Sequence, residues 1–452
     1  MKSVSIAMAA EFCGGRLINC DSPDTPLGQM IIDSRAVKPG DIFLAFKGER
    51  ADGHDYIKKA HELGAACAIA ERVPEGVTGC VILVPSVQHA IEDIAEKYRA
   101  MLNIPVIGIT GSVGKTTAKE MTAAVLSQSM RILKTDANLN NHIGVPMTLS
   151  RIEKEHEAAV VEMGISGFGE MTKLARMARP TAALYTVIGH AHLEFLHDLD
   201  GVFRAKTEML DFLPPDGTII FNGDDEKLRQ IDSDRRLISY GLGEDCTVRA
   251  ENVELLPNGT SRCTILYADK KIEADIPAYG KHMIYAVLEG AAVGYALGLS
   301  PEQIQRGIAS YQVVGRRGIV TDTGFITLID DSYNANPDSM KSGIDSLSQL
   351  SGRRVCVLGD MLEMGSESEA MHLDIGSYAR ERGIELVLGC GRLGRLIAEG
   401  AGESGIGFDT CDELIAALPG LIKKGDTVLV KASRGMHLEN AAEALKLMED
   451  RT

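Results

Sequence analysis

Residues 87–102, VQHAIEDIAEKYRAML, set Ile91, Ile94, Ala95 and Tyr98 on one face at helical spacing and charges on the other, which predicts an amphipathic helix. Before it, Ile42–Phe46, AACAIAE and CVILVP are short apolar runs bounded by turn residues, so residues 1–100 predict a small α/β unit. Strand-like runs then recur at Val106–Thr110, Ala158–Val161, Ala182–Val187 and Thr218–Phe221, separated by helical patterns. Such alternation predicts a mainly parallel sheet covered on both faces, within a unit spanning 101–313. Inside that unit, TVRAENVELLPNGTSRCTILYADKKIEADIPAYG alternates polar and apolar residues and predicts an antiparallel insertion, after which YAVLEGAAVGYALGL returns to helix. Residues 314–452 repeat the α/β alternation, with strands at Ile326–Ile329, Val355–Leu358, Leu386–Leu388 and Thr427–Val430. The expectation is a three-domain α/β protein: 1–100, 101–313 and 314–452.

Composition narrows what such a protein can do. Its 452 residues exceed one ordinary domain, and 45% hydrophobic with 24% charged residues is a globular balance. A net charge of −16 argues against nucleic acid as the main partner, yet leaves room for a local anion site. No apolar run has the length of a membrane span. The N-terminal MKSVSIAMAAEFCGGRL is read as an amphipathic first helix ended by Gly14-Gly15 rather than a signal peptide, because Glu11 and the glycines cut the apolar run short. Nine scattered cysteines without Cys-x-x-Cys point to reduced thiols and a cytoplasmic setting, and to neither disulfides nor structural zinc.

The chemistry starts at GITGSVGKTTAKEM, residues 108–121. A strand ends at Thr110, a helix begins at Thr116, and Gly111-Ser112-Val113-Gly114-Lys115-Thr116 joins them. Backbone N–H groups of this turn and the helix N-terminus form an anion nest. Lys115 reaches terminal phosphates and Thr116 suits Mg²⁺. The P-loop pattern asks for glycine where Ile109 stands, but Gly111 still supplies flexibility within the loop. Glu162 ends the strand of AAVVEMG, where a carboxylate suits a metal ion, and His190 and His192 follow the next strand. In GVFRAKTEMLDFL, Lys206 lies in the middle of the apolar stripe Val202, Phe203, Met209, Leu210 and Leu213. Two readings stand: a lysine whose stem packs while its head escapes to water, or a buried amine with a lowered pKa, able to add CO₂ as a carbamate. GCGRLG, Gly389–Gly394, fits Gly-x-Gly-x-x-Gly after a strand, but it does not open the first βαβ of its unit; a turn into a helix accounts for it better than dinucleotide binding.

Taken together, these motifs resemble those of the Mur ligase family: DSR (Asp33–Arg35) and FLAFKGERADGHDY, then TGSVGKTT, LNNHIGVPMTL, VVEMG, HAHLE and RAKTEML, then DDSYNANPDSM, LGDMLEMG and KASRGMHLE. The resemblance covers nearly the whole chain. It implies a small N-terminal UDP-binding domain, a central P-loop ATPase domain and a C-terminal Rossmann-like domain. The DDSYNANP and LGDMLEMG pair points to the branch that adds D-alanyl-D-alanine to a UDP-N-acetylmuramoyl-tripeptide in bacterial peptidoglycan precursor synthesis. That branch proceeds through an acyl phosphate, as a cytoplasmic monomer. By this resemblance Thr110, Gly111, Ser112, Val113, Gly114, Lys115, Thr116 and Thr117 hold ATP, with His282 at the adenine and Arg316 and Asp331 closing over the nucleotide. Thr116 and Glu162 bind one Mg²⁺, and His192 and carbamylated Lys206 bind or support a second. Ser34, Arg35 and Lys47 face the UDP end of the substrate; Tyr333, Asn334, Lys431, Ser433 and Arg434 lie toward the dipeptide. The sequence departs from the family at His282-Met283-Ile284-Tyr285-Ala286, where asparagines commonly follow the histidine, and KASR replaces KGSR. Another ligase of the family, adding a different amino acid, and a P-loop kinase are the alternatives. A kinase would need neither DDSYNANP nor a lysine in an apolar stripe.

Overall fold

A computed structural model describes residues 1–49, 51–256, 260–280 and 282–449. Arg50 of FLAFKGERADGHDY, 257–259 of the predicted insertion and Lys281 before His282 lie outside the described residues. Three sheets organise the chain, of five, nine and six strands. Each is largely parallel, with its central strands buried on both faces, and carries one antiparallel edge, the architecture that strand–helix alternation predicts.

In the first sheet the strands run in the order 16–18, 81–83, 67–70, 42–44, 30–31. The helix Val87–Ala100 covers it with Ile91, Ile94, Ala95 and Tyr98 buried, the face its periodicity predicted. The N-terminal helix Ile6–Cys13 is stopped by Gly14, whose φ of 63° is the left-handed cap that glycine adopts without a Cβ clash.

The central sheet places Val106–Thr110 between Ala158–Glu162 and Ala182–Tyr185, with Thr218–Asn222 and Arg236–Gly241 beyond. Ile109 lies opposite both Glu162 and Leu184, so three strand ends finish side by side. The run predicted as Ala182–Val187 stops at Tyr185 because the next residues serve the glycine loop: Val187 O accepts from Ser112 N at 2.8 Å. The predicted insertion is no separate layer. Val248–Leu255 joins the central sheet in parallel through Tyr240↔Val248, and Ser261–Tyr267 and Lys270–Ile276 extend it antiparallel. Their alternating inward residues Cys263, Ile265 and Tyr267 pack under the helix Met283–Ala296.

The third sheet runs 319–322, 327–330, 427–431, 354–359, 386–390, 405–408, parallel after its first pair. Among the described residues no helix is long and apolar enough to cross a membrane, and all nine cysteines are free.

Candidate active site

In a parallel sheet every strand delivers its next residues to the same edge, so functional groups collect at the carboxyl ends. The central unit follows this rule. Gly111 has a φ of 153°, and a Cβ there would stand 1.8 Å from Thr186 Oγ1; only glycine lets the loop pass so close to the neighbouring strand's continuation. Thr186 Oγ1 in turn donates to Val113 O at 2.5 Å, and Ser112 Oγ donates to Gly189 O at 2.9 Å. The loop is therefore tied from behind, while its helix Lys115–Leu126 starts with no side-chain cap. Lys115 Nζ folds back onto Gly111 O at 2.7 Å and Ser112 O at 3.4 Å. Burial lowers its pKa, Glu162 acts against that, and the Arg317 cation lowers it further.

Thr116 Oγ1 stands 3.1 and 3.0 Å from the two oxygens of Glu162, which also accept from Asn140 Nδ2 at 2.8 Å. Lys119 Nζ, fully buried, lies 3.5 Å from Glu162 and 3.2 Å from Glu120. A buried carboxylate beside a hydroxyl is a pair of hard oxygen donors, which fits Mg²⁺. No group of three or more His, Cys, Asp or Glu side chains closes around a metal position among the described residues.

Lys206 is 1% exposed on the helix Leu199–Thr207, so its head does not escape to bulk water. Burial, and next the charge of Lys115, hold its pKa well below the ordinary lysine value. An uncharged amine at that place fits carbamate formation. His192 lies in the same neighbourhood. Burial pulls its pKa down, Glu363 pushes it up, and Lys115 and Lys206 add to the lowering. Lys115, Lys206 and His192 therefore share one electrostatic environment, with Glu162 acting on it through Lys115.

The third unit closes the cleft. His190 N donates to Asp338 Oδ2 at 2.7 Å, and His192 Nδ1 meets Glu363 Oε2 at 2.5 Å. Asp331 and Lys431 pair at 2.6 Å, and Lys431 also donates to Asn334 O at 3.0 Å. Two guanidiniums approach the Tyr333 ring, Arg317 at 3.7 Å and Arg434 at 5.8 Å from its centre. Ser433 Oγ accepts from Leu362 N at 2.9 Å. Exposed His282 starts the helix Met283–Ala296, its ring against Gly280 and facing Asp331 and Lys431. Arg316 is placed elsewhere, in ion pairs of 2.6 Å with both Asp330 and Glu443; its neighbour Arg317 is the arginine whose charge reaches Lys115. In the first unit, Ser34 and Arg35 follow strand Met30–Ile31 and Lys47 follows Ile42–Leu44. These two strands are parallel and in register, so the three residues leave the same sheet edge. Arg35 and Lys47 are exposed there, whereas Ser34 is buried.

Residue reasoning gave no role to Lys119, Asn140, Arg317, Asp338 or Glu363. Lys119 had a usable signal, being one helical turn after Thr116 and on the buried face of its helix.

The Mur ligase family's domain models match the chain in succession: the "catalytic domain" over 28–109, the "middle domain" over 109–294 and the "glutamate ligase domain" over 315–434. A Bacillus subtilis protein named UDP-N-acetylmuramoyl-tripeptide--D-alanyl-D-alanine ligase is 36% identical, over 96% of this chain and 97% of its own length. The chain belongs to the Mur ligase family. An Escherichia coli member of the same name is 35% identical over 99% of both chains. Among solved Mur ligases, MurF from Acinetobacter baumannii superposes with a TM-score of 0.91 at 31% identity, over 98% of this chain and 99% of its own. MurF from Thermotoga maritima, in complex with ADP, does so at 0.82 and 27%, over 93% and 97%.

Proposed function

We propose that this Mur ligase joins D-alanyl-D-alanine to UDP-N-acetylmuramoyl-tripeptide at the expense of ATP, as a cytoplasmic monomer. One observation carries the reading. Lys115, Lys206, His192 and the Thr116–Glu162 pair converge in a cleft closed by the DDSYNANPDSM and LGDMLEMG segments. End-to-end relatives carrying the corresponding name support it. The units 1–100, 101–313 and 314–452 divide the work: UDP end, ATP and incoming dipeptide.

A carboxylate is a poor electrophile and its oxygen a poor leaving group. Transfer of the γ-phosphoryl group cures both: the bond to ADP breaks, a bond to the tripeptide's carboxylate oxygen forms, and an acyl phosphate results. The dipeptide amine adds to that carbonyl, the C–O bond breaks, phosphate leaves, and the amine gives up its proton as the amide forms. The loop from Thr110 to Thr117 cradles ATP phosphates with its uncapped N–H groups, and Lys115 swings from its loop carbonyls to hold the transferring group. Thr116 and Glu162 would hold one Mg²⁺, and His192 with carbamylated Lys206 a second; such ions neutralise crowded phosphate oxygens when bound. His282 packs at the adenine, Arg316 steadies Asp330 beside Asp331, and Arg317 supplies a cation over the loop. Ser34, Arg35 and Lys47 take the UDP end. Tyr333, Asn334, Lys431, Ser433 and Arg434 shape the dipeptide side.

Phosphate release with ATP, Mg²⁺ and UDP-muramoyl-tripeptide is the decisive measurement. It is expected to rise sharply when D-Ala-D-Ala is added; release indifferent to the dipeptide sinks the reading. Lys206→Ala is expected to lose most activity and regain part of it with a small added carboxylate. Full activity in that variant would remove the carbamate.

A further inference from the structure

The LGDMLEMG segment does more than form a strand end. Asp360 O accepts from Ser433 N at 3.1 Å, Met361 N donates to His372 Nε2 at 2.8 Å, and Leu362 N donates to Ser433 Oγ at 2.9 Å. His372 Nδ1 is itself anchored on Ser368 O at 2.5 Å. The backbone just before Glu363 is thus clamped at successive residues. Glu363 then takes a φ of 62°, a conformation that non-glycine residues keep only where their surroundings hold them. Gly365 follows at a φ of 68°, within 3.5 Å of the Glu194 backbone for a Cβ built there. On the other side His192 also has a positive φ, 56°, and its Nδ1 faces Glu363 Oε2 at 2.5 Å. Two strained loops from two units meet at one hydrogen bond between side chains.

We infer that Glu363 is a positioning residue: it docks the third unit on the central one through His192 and, by occupying Nδ1, leaves Nε2 as the ring nitrogen available to the reaction centre. This rests on the role proposed for His192 above. A carboxylate on the far nitrogen of a working histidine fixes both tautomer and ring plane. Here that carboxylate belongs to the domain that must close, so the histidine is oriented only when closure is complete. The neighbouring clasp, Asp338 on His190, is arranged differently. Its shortest contact, 2.7 Å, is to the backbone N–H, and the ring Nδ1 stands farther off, 3.3 Å from Oδ1.

The test uses the full chain with a pair of spin labels, one on an exposed position of the central unit and one on the third. Inter-label distances are measured with and without a non-hydrolysable ATP analogue. Glu363 is exposed, so truncating it spares the core. Glu363→Ala is expected to shift the analogue-bound distances toward the open population and to lower kcat roughly 10–100-fold, the usual range for such outer partners, with KM for ATP little changed. Glu363→Gln keeps an acceptor oxygen and is expected to recover most of both effects. An alanine variant that closes and turns over like wild type overturns the inference. The distance measurement needs only the analogue, so it stands even if the dipeptide proves not to be the substrate.

Discussion

Gly111–Gly114 and Gly391–Gly394 each carry the chain from the carboxyl end of a buried parallel strand into a helix N-terminus. Both have a glycine with positive φ where a Cβ would strike a neighbour: Thr186 Oγ1 at 1.8 Å for Gly111 and Asp360 Oδ1 at 2.5 Å for Gly391. They differ in what faces the exposed N–H groups. Beside Gly391, Asp360 Oδ1 accepts from Leu393 N at 3.0 Å and Gly394 N at 2.6 Å, so a carboxylate from the adjacent strand end already fills the nest. In the central loop the anchoring comes from behind, through Thr186 and Gly189, and no side chain caps the helix. A helix N-terminus attracts an anion in either case. Whether that anion is part of the fold or a ligand depends on where the nearest carboxylate stands.

Exchanging the damage between the two loops gives the largest effects. Gly111→Ala must displace Thr186 and break its bond to Val113, so the phosphate cradle is lost. Turnover is expected to fall by about 10²-fold or more, the scale for losing preorganised donors, and the clash at a positive φ lowers thermal stability as well. Asp360→Ala should instead cost stability in the third unit and leave the phosphate cradle intact. Two buried N–H groups lose a charged acceptor, at a cost of roughly 2–4 kcal/mol. The expected signs are a lower first thermal transition and lost hydrogen-exchange protection at Leu393 and Gly394. An Asp360 variant as stable as wild type, or a Gly111 variant with normal turnover, would break the contrast.

The contrast also shows where sequence reasoning reaches. Strand–helix alternation led to parallel sheets because burial on both faces leaves continuous apolar runs, as at Val106–Thr110 and Thr427–Lys431. Lys206 was legible because helical spacing put a charge into an apolar stripe, and it is buried there. Glycine spacing alone could not decide which loop was open. Asp360 lies 33 residues from Leu393, and nothing local announces their meeting. Glu363 and His192 are 171 residues apart, and Asp338 and His190 148; such pairs exist only once two units have docked. Arg316 and Arg317 illustrate the same limit at close range. Adjacent residues point different ways, and the ion pairs to Asp330 and Glu443 that turn Arg316 aside come from tertiary packing.

The smallest effect sharpens the account of the central loop's rear support. Tyr240 Oη lies 2.9 Å from Tyr185 O, 3.1 Å from Thr186 O and 2.9 Å from Glu289 Oε1. One phenolic proton cannot serve three acceptors. The count closes when Glu289 is neutral and gives its own proton to the phenol oxygen, leaving the phenol proton for the carbonyls. Burial agrees, raising the Glu289 pKa from 4.5 to about 8. The sign follows from proton binding. Between pH 4.5 and 8 the folded chain holds a proton that the unfolded chain has released, so stability falls as pH rises through that window. Each pH unit there costs at most about 1.4 kcal/mol, and the decline levels off above the folded pKa. Glu289→Gln keeps a donor for the phenol oxygen and cannot ionise. Thermal unfolding of this variant is expected to be flatter than wild type from pH 6 to 8, with its advantage growing toward pH 8. If both proteins lose stability in parallel across that range, Glu289 is not the neutral donor and the phenol must bond one carbonyl at a time.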